Sequence, residues 1–217
     1  MTPPAEHRAV PHGTPGTGTA DAATGTPRRR LLDDVFPRRD RRTLTVTAVI
    51  WFATAAVLVA RSPHPALWPA LVGLATFGTC IAVGDALTRR IPNRLNAAAL
   101  VSSLPLLGLA AAAGYGSAIG AAAGAGAAFA VYAVLWLVAP GAVGAGDVKL
   151  APYLGAVTAF LGWSCWGRAL VLGMVLQGVV VAGGLLTRRL GRSSHVAHGP
   201  AMCLGAVLAV LEALSRW

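Results

Sequence analysis

Seven apolar runs follow one another along the chain: Leu44–Ala60, Leu67–Leu87, Leu95–Ala113, Ala118–Val138, Leu150–Trp166, Ala169–Leu186 and Ala201–Leu214. As helices rising about 1.5 Å per residue, most of them match the ~30 Å hydrocarbon thickness of a bilayer. No soluble fold needs so many membrane-length segments. Composition agrees: 55% of the 217 residues are hydrophobic and 12% are charged, where a soluble domain carries about a quarter charged. The reading is an all-α, polytopic membrane helix bundle of about seven transmembrane helices. Small-residue stretches such as Gly120 to Gly126 suit close helix packing.

The net charge of +10 does not point to nucleic acid, which needs a basic face on a soluble fold. Eight of the eighteen basic residues fall within residues 1–42, and most others sit at the ends of apolar runs. Residues 1–42 are rich in Pro, Gly and Thr with no apolar period, so a disordered basic tail is expected there. No small-residue cleavage site follows Leu44–Ala60 before Arg61, which favours a retained span over an export signal. With the tail cytoplasmic, the inner connections hold Arg89, Arg90, Arg94, Lys149, Arg188, Arg189 and Arg192. The outer side holds Arg61, Arg168 and Arg216. That asymmetry follows the positive-inside rule and predicts a multi-pass cell-membrane (inner or plasma membrane) protein in contact with anionic lipid.

Carboxylates are scarce where they cost most. Only Asp85, Asp147 and Glu212 occur after residue 42. Asp85 lies two residues from the end of the second run, and Asp147 precedes the fifth in Gly144-Ala-Gly146-Asp147-Val-Lys149. An acid at membrane depth usually faces a bundle interior or a water-filled cavity. The structural alternative makes them interfacial groups, Asp147 capping a helix N-terminus and Asp85 pairing with Arg89. In the topology above both lie at one depth on the cytoplasmic side, so the bundle can bring them face to face. Two such acids hold one proton between them. The ionised member then takes a proton from water as it attacks a peptide carbonyl, while the protonated member polarises that carbonyl.

The flanking residues fit this. Gly144 and Gly146 are expected to supply backbone conformations closed to other residues and to let a substrate strand pass. Pro92 stops the second helix and Asn93 is expected to N-cap the third. Lys149, the one lysine, either holds positive potential over the site, meets a lipid phosphate, or reports topology. Cys80, Cys165 and Cys203 lie one to an apolar segment and signal neither disulfide nor zinc. His195 and His198 are read as solvated loop histidines, and neither a metal nor another cofactor is expected.

Asp85 with Ile91-Pro92-Asn93, together with Gly144-x-Gly146-Asp147-x-Lys149, resembles the type IV prepilin peptidase family, the GxGD-type membrane aspartic proteases. Gly199-Pro200 extends the likeness, which covers roughly 67–217. The resemblance implies a six-helix core over 67–217 in which Asp85 and Asp147 are catalytic. Residues 43–66 are then an extra N-terminal helix and outer loop. It further implies cleavage of the leader of prepilin-like membrane proteins at the cytoplasmic face. Many members also methylate the new N-terminus and carry paired C-x-x-C zinc motifs; none occurs in this sequence, so peptidase activity alone is expected, as in the short tight-adherence (Flp) peptidases. The rival readings are a related GxGD protease of other transmembrane substrates, and a proton- or cation-coupled small carrier or scaffold using the same acids. Oligomeric state is not readable from the sequence.

Overall fold

The computed structural model describes residues 41–139, 141, 143–188 and 196–216. The tail expected over 1–42 lies almost wholly outside them, as do Arg189, Arg192 and His195. Among the described residues the chain forms seven α-helices and one 3₁₀ turn, with no strand. They are α1 (Arg41–Arg61), the turn Pro65–Leu67, α2 (Trp68–Thr88), α3 (Asn93–Ala112), α4 (Ala118–Val138), α5 (Ala145–Phe160), α6 (Trp163–Leu186) and α7 (Gly199–Leu214). Five of them are long and apolar enough to cross a membrane: α1, α2 with its leading turn, α3, α4 and α6.

The helix ends follow from local chemistry. Pro69 sits in the first turn of α2, where a missing N–H costs nothing. Arg89 closes α2 in the left-handed region at φ 53°, and Pro92 keeps the chain extended before α3. Ser117 caps α4 by accepting the Gly120 N–H at 2.9 Å. The boundary between the runs read as Leu150–Trp166 and Ala169–Leu186 lies earlier than expected, so Trp163–Trp166 belong to α6. Gly162, at φ 132°, breaks the first of these runs after Leu161, and α6 begins at Trp163. Hydropathy misses this boundary because Leu161, Trp163 and Trp166 are apolar on both sides of the break.

The two 16-residue helices, α5 and α7, hold the centre. From Asp147 onward every residue of α5 is buried except Lys149 and Pro152. A helix enclosed by protein on all sides needs no full membrane length. α4 packs most closely on α5, and α6 on α7. The first contact is made by glycines: a Cβ on Gly124 would lie 2.1 Å from the Ala159 Cβ, and one on Gly155 2.4 Å from the Gly124 carbonyl oxygen. In the second, a Cβ on Gly205 would lie 2.5 Å from the Gly173 nitrogen. Hydrogen bonds reinforce this frame, Trp166 Nε1 donating to the Gly124 carbonyl at 3.1 Å and Tyr153 Oη to the Gly73 carbonyl at 3.3 Å.

α1 is peripheral. Only Ala55 and Leu58 of its residues are buried, and Trp51 Nε1 reaches Thr76 Oγ1 on α2 at 2.9 Å. At the end of the bundle where α6 begins and α7 finishes, Arg168 pairs with Glu212 at 2.8 Å and Arg216 also meets Glu212. The opposite end, where α2 finishes and α5 and α7 start, carries Arg89, Arg90, Arg94, Lys149 and Arg188.

Because the α4–α5 contact leaves no room for a methyl group, Gly124→Ala should destabilise the protein by about 1–3 kcal/mol. Gly126→Ala, whose Cβ would meet nothing within 4 Å, should be neutral. Thermal unfolding of the two variants in detergent checks this.

Candidate active site

The large cavity of the bundle opens at its basic end. Its volume is about 680 Å³, and Asp85 and Asp147 are the two acids among its lining residues. Asp85 comes from the last turn of α2 and Asp147 from the first turn of α5. Both are deeply enclosed, at 5% and 6% exposure.

Each carboxylate is held by one backbone donor. Asp85 Oδ2 accepts the Gly199 N–H, the first of α7, at 3.0 Å. Asp147 Oδ2 accepts the Gly144 N–H at 3.0 Å. The second contact is half of a capping box, the acid at N3 reaching back to the N-cap residue; Gly144, without a side chain, supplies no other half. Each acid keeps its Oδ1 without a hydrogen-bond partner among the described residues. Asp85 makes no ion pair with Arg89 there; Arg89 instead gives its backbone N–H to the Asp85 carbonyl at 2.7 Å.

Ile91 lies between the start of α5, which carries Asp147, and the start of α7, whose N–H holds Asp85. A Cβ on Gly146 would lie 3.4 Å from the Ile91 Cβ, and one on Gly199 3.2 Å from the Ile91 Cδ1. A Cβ on Gly199 would also come within 2.8 Å of Asp85 Oδ2, so only glycine lets this N–H meet the carboxylate. The expectation for Gly144 and Gly146 needs correcting. Gly144 is extended (φ −79°, ψ 150°) and Gly146 is helical, conformations open to any residue. At Gly144 the missing side chain serves space instead, since a Cβ would crowd Asp147 Oδ2 at 3.2 Å, while a Cβ on Gly146 would make ordinary contact with Ile91.

Pro92, not Asn93, is the N-cap of α3, which starts one residue earlier than expected. Asn93 lines the cavity and accepts from Lys149 Nζ at 3.0 Å. That bond ties the start of α5 to the start of α3. Lys149 is exposed and does not line the cavity. Asn96, one turn further on and buried, donates to the Gly146 carbonyl at 3.4 Å.

His198 contradicts its reading as a solvated loop residue. It is 9% exposed, lines the cavity, and places Nε2 3.3 Å from Tyr132 Oη. Burial holds it below the usual histidine pKa, against the pull of the Asp85 carboxylate. Tyr132, Asn96, Trp136 and Gln177 were also missed. Their only sequence signal is a polar or aromatic residue inside an apolar run. Among the described residues no three His, Cys, Asp or Glu side chains gather as a metal site.

The family model for the type IV leader peptidase family matches residues 72–187, from within α2 to the end of α6 and across both acids. The chain belongs to the type IV leader peptidase family. A curated relative is the prepilin leader peptidase/N-methyltransferase of Bacillus subtilis (strain 168), 32% identical over 150 residues. That stretch is 67% of this chain and 56% of the relative, so the chain spans little more than half of the relative's length. No solved structure matches significantly. His198 and Gly199 lie beyond the region that the family model matches.

Water must reach both acids if the cavity is wet. A water-soluble carbodiimide applied to membranes should therefore modify Asp85 and Asp147, mapped by peptide mass. Gly199→Ala, by pushing on Asp85 Oδ2, should change the labelling of Asp85 and leave that of Asp147 unaltered. Absence of label on either acid in the unaltered protein would show a closed, dry site.

Proposed function

We propose that this multi-pass membrane protein is an aspartic endopeptidase that removes the leader of prepilin-like membrane proteins at the cytoplasmic face. The observation that carries the reading is the placement of Asp85 and Asp147 as the two acids of one cavity open at the basic end of the bundle. Acids spread along a through-pathway would instead favour a carrier. The curated relative's name, a prepilin leader peptidase, and the leader peptidase family support the substrate class.

The chemistry follows from the two carboxylates. One is ionised and takes a proton from a water molecule whose oxygen attacks the scissile carbonyl carbon. The other is protonated and gives its proton to the carbonyl oxygen, forming a neutral gem-diol. Collapse of that diol sends a proton to the departing amine nitrogen and restores the shared proton of the pair. The backbone N–H groups of Gly199 and Gly144 fix one oxygen of each acid, which leaves the two Oδ1 atoms for this work. Preorganised partners of this kind avoid reorganisation at the moment of reaction. The substrate's apolar segment stays in the bilayer while its extended leader enters at the basic end.

In this reading 67–217 form the catalytic core, α1 is an added span, and the basic tail is cytoplasmic by the positive-inside rule. Asp85 and Asp147 carry out the hydrolysis, the Gly144 and Gly199 N–H groups hold their carboxylates, and Lys149 and Asn93 brace the start of α5.

Asp85→Asn and Asp147→Asn should each lower cleavage by at least about 100-fold, the contribution expected of acid–base groups, with membrane insertion unchanged. Lys149→Ala should cost much less. Co-expression with a prepilin-like substrate and a gel shift of leader size reads this out. Full cleavage by either Asp→Asn variant would remove that residue from the pair.

A further inference from the structure

The proposed hydrolysis leaves one buried polar contact unused. Tyr132 on α4 is 4% exposed, and its phenol lies 3.3 Å from Nε2 of His198, the residue immediately before Gly199. Their rings are 5.8 Å apart. The contact joins two helix pairs, each packed most closely within itself. Tyr132 belongs to the α4–α5 pair, which carries Asp147; His198 belongs to the α6–α7 pair, whose first N–H holds Asp85.

We propose that Tyr132 and His198 form a positioning clamp, in which the Tyr132 O–H donates to His198 Nε2 and thereby fixes the start of α7 so that the Gly199 N–H stays aimed at Asp85. The proposal rests on the reading of Asp85 and Asp147 as the reacting pair. His198 offers no side-chain cap to α7, so its ring is free for this bond. With the phenol as donor, the imidazole is the neutral acceptor and carries its proton on Nδ1. The charged and titratable groups around the cavity and the pair are Asp85 on α2, Asp147 on α5, Arg89 and Arg90 after α2, and Cys203 one turn along α7. Burial favours the neutral ring. The folded chain therefore binds that proton more weakly than the unfolded one, and the clamp is lost only as pH falls through the lowered value. Protonation there would force the phenol to turn its oxygen toward the ring and would set a cation beside Asp85.

The test uses the whole protein in micelles with ¹⁵N-labelled histidine. The His198 ring, assigned as the signal missing from His198→Gln, should be neutral at neutral pH with its proton on Nδ1. Tyr132→Phe, which removes one oxygen and little volume, should shift that ring's signal and let it protonate at higher pH. In the cleavage assay Tyr132→Phe and His198→Phe should each lower kcat by about 10- to 100-fold, as a misplaced reacting group does, with KM unchanged. His198→Gln, which keeps an acceptor for the phenol, should recover part of the loss. A proton on Nε2 of the neutral His198 ring, or wild-type kcat in Tyr132→Phe, overturns the clamp. If the unaltered protein cleaves no prepilin-like substrate, the proposed function fails, while the ring signal still decides the clamp. If His198→Phe does not fold, Tyr132→Phe decides alone.

Discussion

A carboxylate at membrane depth must find water and hydrogen-bond donors, and this bundle meets that demand twice within one cavity. An acid in hydrocarbon costs several kcal/mol, so neither Asp85 nor Asp147 is tolerable unless the surrounding helices make a polar recess. They do so by being short. α5 and α7 have 16 residues each, about 24 Å of rise, and both begin at the basic end. Their starting turns line the cavity, and the N–H groups of those turns, which have no partner within the helix, become the donors that the acids need. The Gly144 and Gly199 N–H groups meet Asp147 and Asp85 there. A helix start that would be a cost in hydrocarbon is made useful by an acid that would also be a cost.

Short helices at the centre are possible only because longer ones surround them. α5 has almost no surface left for lipid, so it depends on close contact with its neighbours rather than on hydropathy. Gly124 and Gly155 bring two backbones within van der Waals touch, and Gly173 and Gly205 do so for α6 and α7. Membrane helices gain little from burying apolar surface against one another, since lipid is equally apolar; close packing and interhelical hydrogen bonds replace that gain. The glycine abundance of the chain, 26 residues, thus has a definite purpose at these crossings. At Gly199 the same lack of a Cβ serves the site, because a methyl group would strike the carboxylate that the N–H holds.

Much of this was legible beforehand. The lengths of the apolar runs gave the helix count, and the rarity of acids singled out Asp85 and Asp147. What failed was local. Gly162 broke an apolar stretch that hydropathy read as continuous. Neither Gly144 nor Gly146 adopts a conformation reserved for glycine, and only at Gly144 would a Cβ crowd the acid. His198 was misjudged because it follows a basic, polar segment, and sequence distance to charge says nothing about depth once the chain turns inward. Tyr132 sits 66 residues away from it, and nothing in either segment announces the contact.

The sequence by itself determined that the chain is a membrane bundle of about seven helices and that two acids near one end need explaining. Those properties depend on length, hydropathy and charge, which are sums over local residues and survive any arrangement of the helices. Only the tertiary structure decided which donors hold each acid, that Ile91 packs between the starts of α5 and α7, and that His198 is buried against Tyr132. These depend on which helix faces meet, and in an apolar chain nearly every face is equally able to meet another. Gaps a methyl group wide between backbones choose among them, and those gaps exist only once all the helices are packed.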